Sequence, residues 1–138
     1  MDHKPTLKRL RDADPRAYAQ FCETAGQQLT LKQLQITNPR GYAELCERAG
    51  CYSVALEFYV NSDSSLDLLH AAELADRLGN KTQRKKFSTL ARQKVDSELE
   101  KALRAAQSSS AGENEERNFI IVTNRKRAVY NTSQVLLS

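Results

Sequence analysis

The sequence contains an internal repeat, because DPRAYAQFCETAG (residues 14–26) returns as NPRGYAELCERAG (residues 38–50). Each copy begins with Asp or Asn, which are preferred helix N-cap residues, and continues with proline, which is best tolerated at the first helical position. Each copy ends in glycine, the residue favoured in the left-handed position after a helix. Tyrosine, phenylalanine or leucine, cysteine and alanine recur between these ends at the spacing of one helix face. The repeat therefore predicts two similar amphipathic helices.

The chain after the repeat keeps a helical pattern as far as residue 107. Residues 51–60 and 66–80 carry apolar residues at helical spacing, with glycine as a stop signal at position 79. Residues 82–107 contain neither glycine nor proline, and their apolar residues also follow one helical stripe. This segment is longer than a typical globular helix, so we expect its far end to project or to pack on another chain.

The last part of the chain has a different character. Small, polar and acidic residues dominate 108–118, which is typical of a linker. Residues 119–138 are rich in β-branched and aromatic residues, which favours strands or a hairpin. We therefore predict a mostly α fold, a short array of antiparallel helix pairs with a β-prone C-terminal appendage. Its predicted parts are an N-terminal arm (1–13), an α-helical repeat domain (14–107), a linker (108–118) and a β-prone C-terminal tail (119–138).

One stretch of the repeat domain, YAELCERAGCYSVALEFYV (residues 42–60), resembles a tetratricopeptide-type helical pair. Its small and aromatic residues carry the resemblance: Ala43, Gly50, Tyr52, Ala55, Leu56 and Tyr59. The two copies of the internal repeat begin at residues 14 and 38, a shorter offset than the family period of about 34 residues. The resemblance implies stacked helix pairs that present a groove to a peptide or helix of a protein partner.

Composition and motifs exclude several functional classes. The longest apolar runs are too short to span a bilayer, and the N-terminus has no apolar core of a secretory signal, so we expect a cytoplasmic protein. The three cysteines form no CxxC pair, which argues against a disulfide framework or a zinc site. Phosphate-binding glycine loops, GxSxG and HExxH are all absent. We therefore predict a non-enzymatic protein with no catalytic residue, no cofactor and no metal.

The strongest charge feature is KTQRKKFSTLARQK (residues 81–94), which holds lysines and arginines and no acidic residue. Aligned cations of this kind suit nucleic-acid phosphates. A solvated helix face is the other interpretation, and the net charge of +4 favours neither strongly. A nucleic-acid-binding regulator that uses this face is therefore the alternative function.

The favoured hypothesis is a protein–protein interaction module that acts as an adaptor, assembly factor or chaperone for a peptide, helix or strand of its partner. A homo-oligomer formed through the long helix or the tail is a further alternative. The repeated arginines at positions 16 and 40 lie in first helical turns, where the helix dipole disfavours a cation, so packing does not require them. The predicted partner-binding residues are Arg16, Arg40, Tyr59, Arg84, Lys85, Arg92, Phe119, Ile121 and Tyr130.

Overall fold

A computed structural model describes residues 2–138, and this part of the chain is built from helices with no strand. The prediction of a mostly α chain is therefore confirmed. In chain order the helices are α1 (Leu7–Ala13), α2 (Pro15–Ala25), α3 (Leu31–Thr37), α4 (Pro39–Arg48), α5 (Tyr52–Val60), α6 (Ser65–Arg77), α7 (Lys81–Gln107) and α8 (Glu113–Leu137).

The two repeat copies form α2 and α4, with the predicted start and stop signals in use. The side chain of Asp14 accepts a hydrogen bond from the Ala17 amide at 3.1 Å, and that of Asn38 accepts one from the Gly41 amide at 2.9 Å. The proline after each cap is the first helical residue. The glycines that close the two copies have φ of 72° and 82°, which side chains disfavour. The repeat is thus a duplicated helix with both of its ends specified by sequence.

The two copies differ in how much of the helix is buried and in one residue at their contact. Helix α4 packs against α1, α2, α3 and α5, so most of its apolar stripe is buried, whereas in α2 only Tyr18 is. Gly41 of α4 stands where α2 has Ala17. A Cβ atom at Gly41 would lie 2.7 Å from Cζ of Phe21 and 2.8 Å from the Asn38 side chain. The glycine therefore permits the close approach of α2 to α4.

The chain divides into two compact units, the first ending at Asn61 and the second comprising Ser62–Ser138. In the first unit α4 is the central helix. The chain before α1 also belongs to this unit, because the His3 amide donates to the Gly50 carbonyl at 2.9 Å. Asp2 accepts from the Ser53 amide at 3.1 Å and so caps α5, whose own N-cap residue makes no side-chain cap bond. The predicted N-terminal arm is therefore docked and partly helical. The second unit consists of α6, α7 and α8.

The predicted β-prone tail is wrong, since α8 begins at Glu113 and runs to Leu137, and the connection between α7 and α8 is confined to residues 108–112 of the predicted linker. Val122, Val129 and Leu136 recur every seven residues and are 4%, 0% and 8% exposed. Their burial against α7 outweighs the helix propensity that β-branched residues lose, which is only a few tenths of a kcal/mol each. The glutamate-rich start of the helix, mistaken for a linker, supplies its cap: Glu115 accepts from the Gly112 amide at 2.9 Å.

Gly41→Ala tests the packing of the repeat. We expect a net loss of about 1–2 kcal/mol, because the new methyl group overpacks the contact with Phe21 and the capping Asn38. Urea denaturation measures this loss. The matched change Ala17→Gly in α2 should cost about 1 kcal/mol through helix propensity alone. A Gly41→Ala chain more stable than the natural one would contradict the close approach of α2 to α4.

Candidate protein-interaction surface

Arg92, a predicted partner-binding residue, instead joins α7 to α8. Its Nε donates to Oγ of Ser133 at 2.6 Å, and its Nη2 donates to the Tyr130 carbonyl at 3.3 Å. The guanidinium carbon lies 4.6 Å from the centroid of the Tyr130 ring, in cation–π geometry. A planar guanidinium is suited to make all three contacts at once. The structure therefore gives Arg92 a role in packing.

Tyr130 belongs to the same cluster. Its hydroxyl donates to Oδ2 of Asp96 at 2.8 Å, and Lys126 lies 3.1 Å from the other oxygen of that carboxylate. The hydrogen bond to Asp96, together with partial burial, raises the pKa of the Tyr130 hydroxyl above its ordinary value. The neutral phenol is consequently the form that holds α8 to α7. We call these residues the Arg92 cluster: Arg92, Asp96, Lys126, Tyr130 and Ser133.

Arg84 also makes contacts within the second unit. Its Nη1 lies 3.1 Å from Asp76 of α6, and its Nη2 donates to the carbonyl of Ser138 at 3.0 Å. Glu98 of α7 likewise accepts from the Ser65 amide of α6 at 3.1 Å and from Arg125 of α8 at 3.3 Å. Both residues therefore tie α7 to its two neighbours.

These contacts occupy some of the cations of the basic segment 81–94 and leave others exposed. Arg84 and Arg92 are engaged as described, and Lys94 forms an ion pair with Asp63. Three lysines in the first turns of α7 are exposed and make no ion pair within the described part of the chain: Lys81, Lys85 and Lys86. The predicted basic face is therefore reduced to its first turns.

The predicted residues of the first unit have mixed positions. Tyr59 is buried at 4% exposure and packs edge-to-face on Phe58, with ring centroids 5.2 Å apart. Arg40 is placed with its guanidinium 5.2 Å above the same Phe58 ring. Arg16 lies exposed on α2. These three residues belong to the first unit, and the predicted residues of α7 and α8 belong to the second.

Helix α8 carries a second apolar face that sequence reasoning found only in part. Ile121, which was predicted, is 50% exposed, and Val135, which was missed, is 72% exposed. Together with exposed Ala128 they repeat every seven residues, one position before the buried Val122, Val129 and Leu136. We call Ile121, Ala128 and Val135 the outer stripe. Ile120 flanks it at 60% exposure, whereas the predicted Phe119 is half-buried. The seven-residue spacing was the available signal, and a strand interpretation of the tail obscured it.

A groove runs beside one end of the outer stripe. It has a volume of about 400 Å³ and is lined from α6 by Glu73, Asp76 and Arg77 and from α8 by Thr132, Val135 and Leu136. Helix α7 packs along both α6 and α8, while those two contact each other sparsely, which leaves this groove open. Its lining combines the apolar Val135 and Leu136 with charged and polar side chains, which suits a side chain of a bound helix.

Other features of the described residues give no chemistry. A wider groove of about 750 Å³ in the first unit is lined mostly by uncharged polar residues beside Phe21. Burial raises the pKa of the Cys46 thiol to about 12, so this cysteine is no nucleophile at neutral pH. Residues 2–138 contain no cluster of three metal-ligating side chains. None of the helices in this range combines the length and hydropathy that a membrane span requires.

Comparison of the chain with protein-family models, with curated protein sequences and with solved structures found no match. Its function is therefore inferred from the surfaces described above.

Arg92→Lys tests whether the Arg92 cluster stabilises the fold. Lysine keeps the charge but cannot make both hydrogen bonds and the flat stack on Tyr130, so we expect a loss of about 1–3 kcal/mol in the free energy of unfolding. Urea denaturation followed by circular dichroism measures it. Lys86→Ala, an exposed change on the same helix, should stay within about 0.5 kcal/mol of the natural chain. Equal stability of the two variants would mean that Arg92 is a surface residue.

Proposed function

We propose that this chain is a non-enzymatic interaction module that binds another polypeptide through the outer stripe of α8. The observation that supports this most strongly is the exposure of Ile121 and Val135 on a face of α8 that adjoins its buried row of Val122, Val129 and Leu136. Scattered apolar residues on a surface need no explanation. The regular spacing of these along one helix face is what leads us to treat them as one surface.

The spacing of the outer stripe favours a helical partner. From Ile121 to Val135 the stripe extends about 21 Å along α8, as four turns of helix do. Residues seven apart on a helix stay on one face, so a partner helix lying along α8 can touch all three; the positions between them, Asn124, Arg125, Asn131 and Thr132, are polar and would form the edges of the contact. The groove between α6 and α8 then provides a pocket for a side chain of the partner at the Val135 end.

The biological role that we assign to this surface is that of an adaptor, assembly factor or chaperone. The tetratricopeptide-like pairing of helices and the cytoplasmic location belong to the same proposal. Support for the pairing comes from the helical content and from the Gly50 turn between α4 and α5. Support for the location comes from the free cysteines, which suit a reducing compartment.

The alternative, binding of nucleic acid by segment 81–94, is less favoured. Arg84, Arg92 and Lys94 make contacts within the second unit, so they are already occupied. The lysines in the first turns of α7 are left for phosphates, and such contacts would weaken steeply with salt.

A tagged full-length chain carrying Ile121→Asp and Val135→Asp tests the proposed function. Two carboxylates in the outer stripe should reduce the amount of each specifically bound protein at least about tenfold, because a partner would have to desolvate them. Quantitative mass spectrometry of the purified complexes measures this. Ile36→Asp is the matched control, because Ile36 is a 67% exposed isoleucine of the first unit.

Identical binding by the natural chain, the stripe variant and the control would refute the proposed function. Release of the bound material by nuclease, together with its loss in Lys81→Glu/Lys85→Glu, would instead establish the nucleic-acid alternative.

A further inference from the structure

Two buried cysteines of the first unit lie together where α4 ends. The Gly50 amide donates to the Glu47 carbonyl at 3.1 Å. The Cys51 amide donates to the Cys46 carbonyl at 2.7 Å. This is the Schellman arrangement, in which the side chains of the residues joined by the longer-range bond frequently contact each other. In α4 those residues are the two cysteines, and both are 0% exposed.

The backbone bond also limits how far apart the two cysteines can be. Standard bond lengths place the Cα atom of Cys46 about 2.4 Å from its carbonyl oxygen and that of Cys51 about 1.5 Å from its amide nitrogen. Since that oxygen and that nitrogen are 2.7 Å apart, the two Cα atoms are at most about 6.6 Å apart. Disulfides usually span Cα separations of about 4.4–6.8 Å. The two free thiols therefore satisfy the distance condition for a disulfide.

The first copy of the repeat has the same helix end without a second cysteine. The Gln27 amide donates to the Cys22 carbonyl at 3.1 Å, as the Cys51 amide does to the Cys46 carbonyl. Gln27 thus stands where the second copy has Cys51, and its side chain is exposed. Cys22 is half-buried. The duplication therefore provides a single cysteine as an internal control for the pair.

Residues 2–5, which we call the strap, run across the second cysteine of the pair. The Asp2 side chain accepts from the Ser53 amide at 3.1 Å, and the His3 amide donates to the Gly50 carbonyl at 2.9 Å. The His3 ring also lies against Gly50, because a Cβ atom there would be 2.8 Å from its Cδ2. The strap is therefore fastened on both sides of Cys51.

Burial keeps the two thiols protonated while the strap is docked. It raises the pKa of the Cys51 thiol, with Arg9 opposing the rise, and it raises the pKa of the Cys46 thiol to about 12. Since the thiolate is the reactive form, the covered pair is inert. The strap is a short non-helical segment in which Asp2 and Lys4 are exposed, so it opens at lower cost than the helices unfold.

We propose that Cys46 and Cys51 form a redox-sensitive dithiol, which a peroxide converts to a disulfide when the strap opens. The Cys51 thiolate attacks one oxygen of hydrogen peroxide, and the O–O bond breaks. This leaves a sulfenic acid, while the departing hydroxide takes up the thiol proton as water. The Cys46 sulfur then attacks the Cys51 sulfur, the S–O bond breaks, and the second hydroxide takes up the Cys46 proton. Two electrons thus pass to the peroxide, and one S–S bond fastens the end of α4 to the start of α5.

The first test oxidises the folded full-length chain with hydrogen peroxide, alkylates the remaining thiols and maps tryptic peptides by mass spectrometry. Trypsin cleaves after Arg48 and so separates the two cysteines. The disulfide between Cys46 and Cys51 should exceed any disulfide of Cys22 at least about tenfold, because neighbouring thiols react at a high effective concentration. Dithiothreitol should restore both thiols. The proposal is overturned if Cys46 and Cys51 are found only as thiols or as sulfinic and sulfonic acids.

The second test loosens the strap. Asp2→Ala removes the bond to the Ser53 amide and should raise the rate of disulfide formation about fivefold, as expected for the loss of one cap. Lys4→Ala, an exposed change in the same segment, should keep the natural rate within about twofold. Circular dichroism confirms that both variants remain helical. Equal rates for the natural chain and Asp2→Ala would overturn the control of the pair by the strap.

Discussion

The contact of Arg92 with Tyr130 and Ser133 fixes how α8 is rotated on α7, and the character of the second unit depends on that rotation. Neighbouring residues of a helix point about 100° apart. The inner row Val122, Val129 and Leu136 and the outer stripe are neighbours in sequence, so a rotation of α8 by one residue would bury the outer stripe and carry the inner row out of the contact with α7. A guanidinium that reaches both a side chain and a backbone carbonyl of α8 admits one rotation only.

That rotation leaves the second unit with more apolar surface than its three helices can cover. Full burial of an isoleucine or valine side chain is worth about 1.5–3 kcal/mol; Ile121, at 50% exposure, gains half of it within one chain, and Val135, at 72% exposure, gains less. The remainder becomes available when another helix covers them. Since α6 and α8 lie apart on the surface of α7, a fourth helix has room beside them. The arrangement of α6, α7 and α8 therefore explains why an exposed stripe is retained and what shape of partner it accepts.

The sequence predicted the parts of the fold that depend on local signals. The caps at Asp14 and Asn38 and the closing glycines act within a few residues, and the structure shows them as predicted. Residues 113–137 were assigned wrongly because β-branched pairs such as Ile121–Val122 look like strand and their burial against α7 is not local. The contacts of Arg92, predicted as a partner-binding residue, could not be foreseen for the same reason, since its partners Ser133 and Tyr130 lie on α8. The seven-residue row that contains Val135 was readable in principle, but only once α8 was known to be a helix.

The most direct test of the account places a cysteine at the centre of the outer stripe. In an Ala128→Cys chain that carries a photo-cross-linking maleimide on the new cysteine, binding through the outer stripe predicts a covalent adduct with the bound polypeptide, identified by mass spectrometry. Gln134→Cys, about 120° away around the same helix, and the unaltered chain should give little such product. Equal cross-linking of both variants, or none with Ala128→Cys, would contradict pairing through the outer stripe.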